Sequence, residues 1–227
     1  MAIELTWLGH ATWAVVAGQH RLLVDPFLDD NPAAAAKSDD VEADFIFLTH
    51  GHFDHMSDAA KIAKRTGAMV VANFEIVEWL SKHGVANSQP MNLGGSVALP
   101  FGRAKMTIAH HSSVLSDGSP GGNPGGFLLM IGSQRIYFAG DTALFSDMQL
   151  IGAGGLDLAV LPIGDLFTMG PDDALEAVKL LNPRHVAPSH YNTWPPIKQD
   201  AQQWAERVRG QTQSVPHVVE PGGKFTI

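Results

Sequence analysis

Short apolar runs separated by turn residues dominate the chain, and their β-branched and aromatic content predicts strands. The expected strands in the first half are Ile3–Leu8, Trp13–Ala17, Arg21–Val24, Asp44–Leu48 and Ala68–Ala72. Those in the second half are Lys105–Ala109, Phe127–Ile131, Arg135–Ala139, Asp157–Leu161 and His185–Ala187. His217–Val219 and Lys224–Ile227 flank Pro221-Gly222-Gly223 and predict a closing hairpin. Amphipathic stretches are interleaved. One opens at Ser57 and stops at Gly67, and a second runs from Asn73 to His83 ahead of Gly84. A third begins at Pro171-Asp172-Asp173, where acids suit the positive end of the helix dipole, and ends before Pro183. A fourth covers Asp200–Arg209. Helices distributed among many strands predict an α/β sandwich, and the spacing is too irregular for a parallel barrel or a repeat of fixed period. Pro26–Val41 and Ser112–Gly126 read as loops. No linker composition divides the 227 residues, so one domain over residues 1–227 is expected.

Composition narrows the classes. Apolar residues make up 45% and charged residues 17%, enough for a sizeable core. Lys plus Arg total 15 against 23 for Asp plus Glu, a formal charge of −8 that disfavours a nucleic-acid partner. With no Cys, thiolate nucleophiles, iron–sulfur clusters, disulfides and Cys-ligated zinc are excluded. Glu4 and His10 interrupt the apolar N-terminal stretch and no basic leader precedes it, so a strand pair is expected rather than a signal peptide. No apolar run approaches the length of a membrane span, and a cytoplasmic protein is the expectation.

The chemistry concentrates in His50-Gly51-His52-Phe53-Asp54-His55, directly after the apolar strand ending at Leu48. At this composition such a match has an expected count of about two in a thousand. Gly51 lets the backbone turn tightly so that neighbouring imidazoles converge. Imidazole and carboxylate ligands suit zinc, with manganese or iron as alternatives. Further partners stand where strands run into loops: His111 after Lys105–Ala109, Asp141 after Ile136–Ala139, and His190 after His185–Ala187. The most economical division gives one metal to His50, His52 and His111 and a second to Asp54, His55 and His190, with Asp141 reaching both. Two such ions would hold a hydroxide between them. His110 and His111 compete for the inward position, and His111, nearer the loop, is preferred.

This motif order resembles the metallo-β-lactamase superfamily. The closer likeness is to its uncharacterised bacterial and archaeal metal-dependent hydrolases, related to the ascorbate-6-phosphate lactonase branch. It rests on Trp7-Leu8-Gly9-His10-Ala11-Thr12, Asp25-Pro26-Phe27-Leu28, His111-Ser112-Ser113, Tyr137-Phe138-Ala139-Gly140-Asp141-Thr142, Phe167-Thr168-Met169-Gly170-Pro171 and Pro188-Ser189-His190-Tyr191. The resemblance implies a four-layer αββα sandwich with two mixed sheets, a dinuclear site at one edge, and His50, His52, Asp54, His55, His111, Asp141 and His190 as ligands.

Around these ligands, Asp25 is the candidate to orient a ligand histidine and Ser112 offers a supporting hydroxyl. Asp54 and His10 are the candidates for proton handling, His10 at the rim where it could also meet an anionic group. Phe27, Asp165, Phe167, Met169, Tyr191 and Trp194 are expected to line the pocket. The function these features predict is hydrolysis of an ester-type bond (a lactone or amide, or a phosphodiester) in a small molecule, an anionic one included. A mononuclear, dioxygenase-like enzyme needs only His50, His52, His111 and a carboxylate, and leaves His55 and His190 unused. A non-catalytic metal-binding protein of the same fold is the other alternative, and a closed homo-oligomer is compatible with either.

Overall fold

Phe45-Ile46-Phe47-Leu48 shows how the layers arise. Phe45 and Phe47 point to one side, where their rings meet Phe101 at 5.1 and 6.0 Å and Phe47 meets Phe127 at 5.1 Å. Ile46 and Leu48 point to the other side, into a second cluster with Ile62, Ala63, Ile76 and Leu80. A continuous apolar run buried on both faces is what a parallel strand between two layers requires.

The computed structural model describes residues 2–227. Its first half runs β1 (Ile3–Gly9), β2 (Thr12–Ala17), β3 (His20–Val24), β4 (Phe45–Phe47), α1 (Phe53–Met56), α2 (Ala59–Thr66), β5 (Met69–Asn73), α3 (Phe74–Lys82) and β6 (Ser88–Met91). Next come β7 (Ser96–Leu99), β8 (Gly102–Ile108), β9 (Gly125–Ile131), β10 (Gln134–Phe138), α4 (Met148–Gly152) and β11 (Leu158–Pro162). The chain closes with α5 (Pro171–Leu181), β12 (His185–Ser189), α6 (Ala201–Gln211), β13 (Val215–Pro216) and β14 (Lys224–Thr226). The strands form two seven-stranded sheets, ordered β14-β1-β2-β3-β4-β5-β6 and β13-β12-β11-β10-β9-β8-β7. Both are mixed. β1 to β3 and β7 to β10 are antiparallel meanders, whereas β3 to β6 and β10 to β13 are parallel.

Helices α2 and α3 pack on the outer face of the first sheet. Ala174, Leu175, Ala177 and Val178 of α5 and Trp204, Ala205 and Val208 of α6 are buried with the second sheet. The result is a four-layer α/β sandwich, αββα, as the resemblance implies. The helix ends follow their capping residues. Asn73 accepts from the Ile76 amide at 2.9 Å, Pro171 occupies the first turn of α5, and Asn182 closes that helix in a left-handed conformation.

The closing hairpin is not formed. Lys224–Thr226 pairs antiparallel with β1 in the first sheet, while Val215–Pro216 pairs parallel with β12 in the second. The Pro221-Gly222-Gly223 turn carries the chain between sheets, because β1 has a free edge to which residues 224–226 add. Strands β6 and β7 and the five-residue α4 have no counterpart among the expected elements. Both strands are short, partly polar and at sheet edges, so they lack an apolar alternation. No helix among the described residues is long and apolar enough to cross a membrane.

Candidate metal centre

The expected ligands and their supporting residues follow strands that point the same way within their sheet. β1 leads to His10, β3 to Asp25, β4 to His50, β8 to His111, β10 to Asp141 and β12 to His190. Their ends meet at one edge of the sandwich, the usual place for chemistry in an α/β fold.

Nitrogen and carboxylate oxygen atoms from the motif converge. His50, His52 and His111 place one ligand atom each within 4.8 Å of one another, and so do His50, His55 and Asp141. A further group contains Asp54, His55, His190 and, in addition, His10. Asp141 ties the groups together. Its Oδ2 is 3.0 Å from His190 Nε2, 3.6 Å from His111 Nε2 and 4.0 Å from His50 Nε2, and its Oδ1 is 3.3 Å from His55 Nε2. His111, not His110, faces this cluster. His110 is exposed and packs on Phe145.

The electrostatics fit a cation. His55 Nε2 and Asp141 Oδ1 are buried without a hydrogen bond, a costly arrangement that an ion between them removes. Burial, then the proximity of His55, pushes His50 well below the ordinary imidazole range, and burial lowers His52 and His111 too. These rings are neutral at pH 7, the form that ligates metals. Burial opposes charge on His55, but Asp141 and Asp25 outweigh it and raise this imidazole well above its usual value. For Asp141, burial pushes upward and His190 and His55 prevail, holding the carboxyl well below its usual range. Neutral His50, His52 and His111 therefore stand beside a buried His55–Asp141 pair that holds a proton where a cation would replace it, a donor set suited to zinc, manganese or iron.

A hydrogen-bond network fixes the tautomers. Asp25 is 1% exposed, and its Oδ2 accepts from His55 Nδ1 at 2.9 Å. The same carboxylate accepts from the Thr49 amide at 2.8 Å and the Thr49 hydroxyl at 2.7 Å. The Thr49 hydroxyl, having given its proton to Asp25, accepts from His50 Nδ1 at 3.0 Å. The Nε2 lone pairs of both His50 and His55 are thereby aimed at the cluster. One buried acid orients two candidate ligands, the second through Thr49. Thr49 carried no sequence signal beyond standing directly before His50.

Gly140 protects this network. It has φ 62°, and a Cβ there would lie 2.8 Å from Thr49 Cβ. Gly140→Ala is expected to lower stability by about 2 kcal/mol or more through left-handed strain and overpacking. It should weaken metal binding with it. Thermal denaturation and metal titration of the purified variant check both effects.

His10 lies elsewhere than expected. It is completely buried and contributes nothing to the rim, because Gly9 and His10, at φ 106° and 54°, turn the chain inward. The amides or side chains of Trp7, Ser189 and His190 all donate to its carbonyl. Its ring joins Thr193 Oγ1 at 2.7 Å to Asp54 Oδ2 at 3.2 Å. Burial and the neighbouring His190 lower its pKa to about 4. The Thr193 hydroxyl donates to Nδ1 of this neutral ring, and Nε2–H donates to Asp54, so His10 holds the carboxylate from behind.

A cleft of about 470 Å³ opens over the cluster, lined by Phe53, Ser112, Phe167 and Trp194 together with ligand residues. Of the expected wall residues, Phe167 and Trp194 are there. Phe27 is 1% exposed and supports Phe53 and Trp194 from below. Met169 is fully buried in the core, and Tyr191 is buried against Trp7 at 4.9 Å. Left-handed backbone at His190 and Asn192 turns Tyr191 away from the cleft. Asp165 is exposed and caps its own turn by accepting from the Leu166 amide. Ser112 Oγ stands 3.5 Å from His52 Nε2, at the limit of a hydrogen bond. Phe53, inside the histidine motif, is a wall residue that sequence reasoning passed over.

Comparison with known proteins now gives the class. The Beta-lactamase superfamily domain matches residues 20–191. A UPF0173 metal-dependent hydrolase of Thermus thermophilus is 50% identical, over 97% of this chain and 97% of its own length. One from Pelotomaculum thermopropionicum is 45% identical, over 99% and 100%. Among solved structures, a metallo hydrolase of the archaeon Ignicoccus hospitalis superposes with a TM-score of 0.92 at 34% identity, covering 100% of this chain and 99% of that one. The chain belongs to the Beta-lactamase superfamily, within its UPF0173 metal-dependent hydrolases.

Proposed function

We propose that this metal-dependent hydrolase cleaves an ester-type bond in a small molecule with two divalent ions, zinc foremost. The carrying observation is the pair of ligand groups joined by Asp141, with His50 and His55 shared at their junction. His50, His52 and His111 would hold one ion, Asp54, His55 and His190 the other, and Asp141 would serve both. A mononuclear site would leave His55 and His190 without a role, although both are buried and aimed at the cluster. Bound divalent ions polarise the scissile bond and lower the pKa of water so that a strong nucleophile exists at neutral pH.

The protein's own contribution is placement. Asp25 and Thr49 lock the imidazoles. His10 holds Asp54 Oδ2, which keeps the carboxylate at the cleft floor, where it can steer the attacking water and take up its proton. The aromatic walls exclude bulk water from the bond being cleaved.

Chelation followed by dialysis is expected to abolish turnover on a panel of lactones, amides and phosphodiesters, and zinc or manganese should restore it. Loss of metal should also lower the melting temperature by about 5–10 °C, since ligands that bind only the folded state stabilise it. Turnover that survives complete metal removal would contradict the proposal.

A further inference from the structure

The floor of the cleft is metal-ligating, but its walls are not those of an anion site. Among the described residues, no Lys or Arg lines the cleft. Away from a metal ion, anion recognition in proteins relies on arginine, lysine or a helix N-terminus. Among the described residues, the helix whose first turn lines the cleft is the four-residue α1, too short to supply one. The apolar groups are conspicuous instead. Phe53 is 59% and Phe167 58% exposed, with Leu166 at 65% beside them.

Two features show that this exposure is imposed by the fold. Asp165 and Leu166 have φ values of 62° and 51°, a left-handed pair that non-glycine residues avoid. The segment is tied at its end by the buried Met169, whose amide donates to the Thr142 carbonyl at 3.0 Å, next to Asp141. Strain held in place this way projects Phe167 beside the ligands, and such strain gathers at functional sites. On the other segment the rings form a rigid platform. Trp194 lies 5.8 Å from Phe27, 6.2 Å from Phe53 and 5.0 Å from His10.

We propose that the substrate is a neutral carboxylic ester, lactone or amide carrying an aryl or bulky apolar group, which Phe53, Phe167 and Trp194 grip. The assignment rests on the hydrolase reading above and selects among its bond types: a phosphodiester or other anionic substrate would find no cationic side chain in the walls beyond the metal ions, whereas an apolar group finds three aromatic rings. In the reaction the oxygen of water bonds to the acyl carbon, and the acyl bond to oxygen or nitrogen breaks with its electron pair going to the leaving group. One proton of water ends on that leaving group, and the other is released as the carboxylic acid product ionises.

The test uses metal-loaded protein with γ-phenyl-γ-butyrolactone, γ-butyrolactone and bis-(p-nitrophenyl) phosphate. Phe167→Ala is expected to lower kcat/KM for the phenyl lactone by about 5- to 30-fold and for the unsubstituted lactone by a clearly smaller factor, so that the preference for the phenyl substrate falls. Phe167→Leu should recover part of the loss. The phosphodiester should be the poorest of the three. Binding is read independently by NMR titration of zinc-loaded protein with 2-phenylacetamide and acetamide, which differ in the phenyl ring. The phenyl amide should bind at least about fivefold more tightly, and Phe167→Ala should weaken it. Preference for the phosphodiester, equal binding of the two amides, or indifference to Phe167→Ala would overturn the substrate class while leaving the hydrolase intact. Selective amide binding without turnover of any ester would uphold the ligand class and overturn the hydrolase reading.

Discussion

Replacing Asp141 by Ala is expected to cut turnover by at least about a thousandfold, the scale of losing metal-assisted stabilisation of the reacting groups. Asp141 is 3% exposed and lies within 3.0–4.0 Å of His190, His55, His111 and His50. It is the carboxylate that reaches both ligand groups. Without it, Asp54 is the carboxylate left in the cluster and serves the group with His55 and His190 alone, so nothing anionic joins the two groups and cations placed close together would repel. Asp141→Asn keeps the shape and removes the charge, so it should behave nearly as badly. Steady-state kinetics with parallel metal analysis checks this, and an Asn variant with full metal and near-normal turnover would refute it.

Asp25→Asn is the second large effect, although the residue sits one shell behind the ligands. The carboxylate accepts three hydrogen bonds, from Thr49 twice and from His55. An amide can accept those bonds at one oxygen only, and its NH₂ would face a donor. The expected loss is about 10- to 100-fold in metal affinity, the usual cost of removing a carboxylate that orients a ligand histidine. A buried polar group left without its partner adds about 1–3 kcal/mol of destabilisation. Competition with a chromogenic chelator measures the first, and denaturant unfolding the second. Unchanged affinity would show that packing alone holds His50 and His55.

The histidine motif was legible because its four side chains lie within six residues, so convergence needed only a tight turn at Gly51. His111, Asp141 and His190 were legible by position, each at the end of an apolar strand. Asp25 followed the same rule. What the sequence concealed depends on backbone sign and on partners distant in the chain. His10 is near a strand end like the others, yet two successive positive φ values bury it behind Asp54. Thr193 reaches it across 183 positions. Tyr191 and Met169 neighbour functional segments but face the core, since a left-handed residue cancels the alternation by which facing is inferred. The pairing of β14 with β1 is equally non-local, and a Pro-Gly-Gly turn signal says where the chain bends, not which edge receives it. The layers themselves were legible in outline, because apolar strand runs and capped helices are local properties.

The central claim is a site for two metal ions, and elemental analysis of the protein purified without added metal tests it most directly. Wild-type, His111→Ala and His190→Ala proteins should be measured side by side. The account predicts two equivalents per wild-type chain and a loss in each variant, His111→Ala weakening one ion and His190→Ala the other. A single equivalent in the wild type that survives His190→Ala would contradict it.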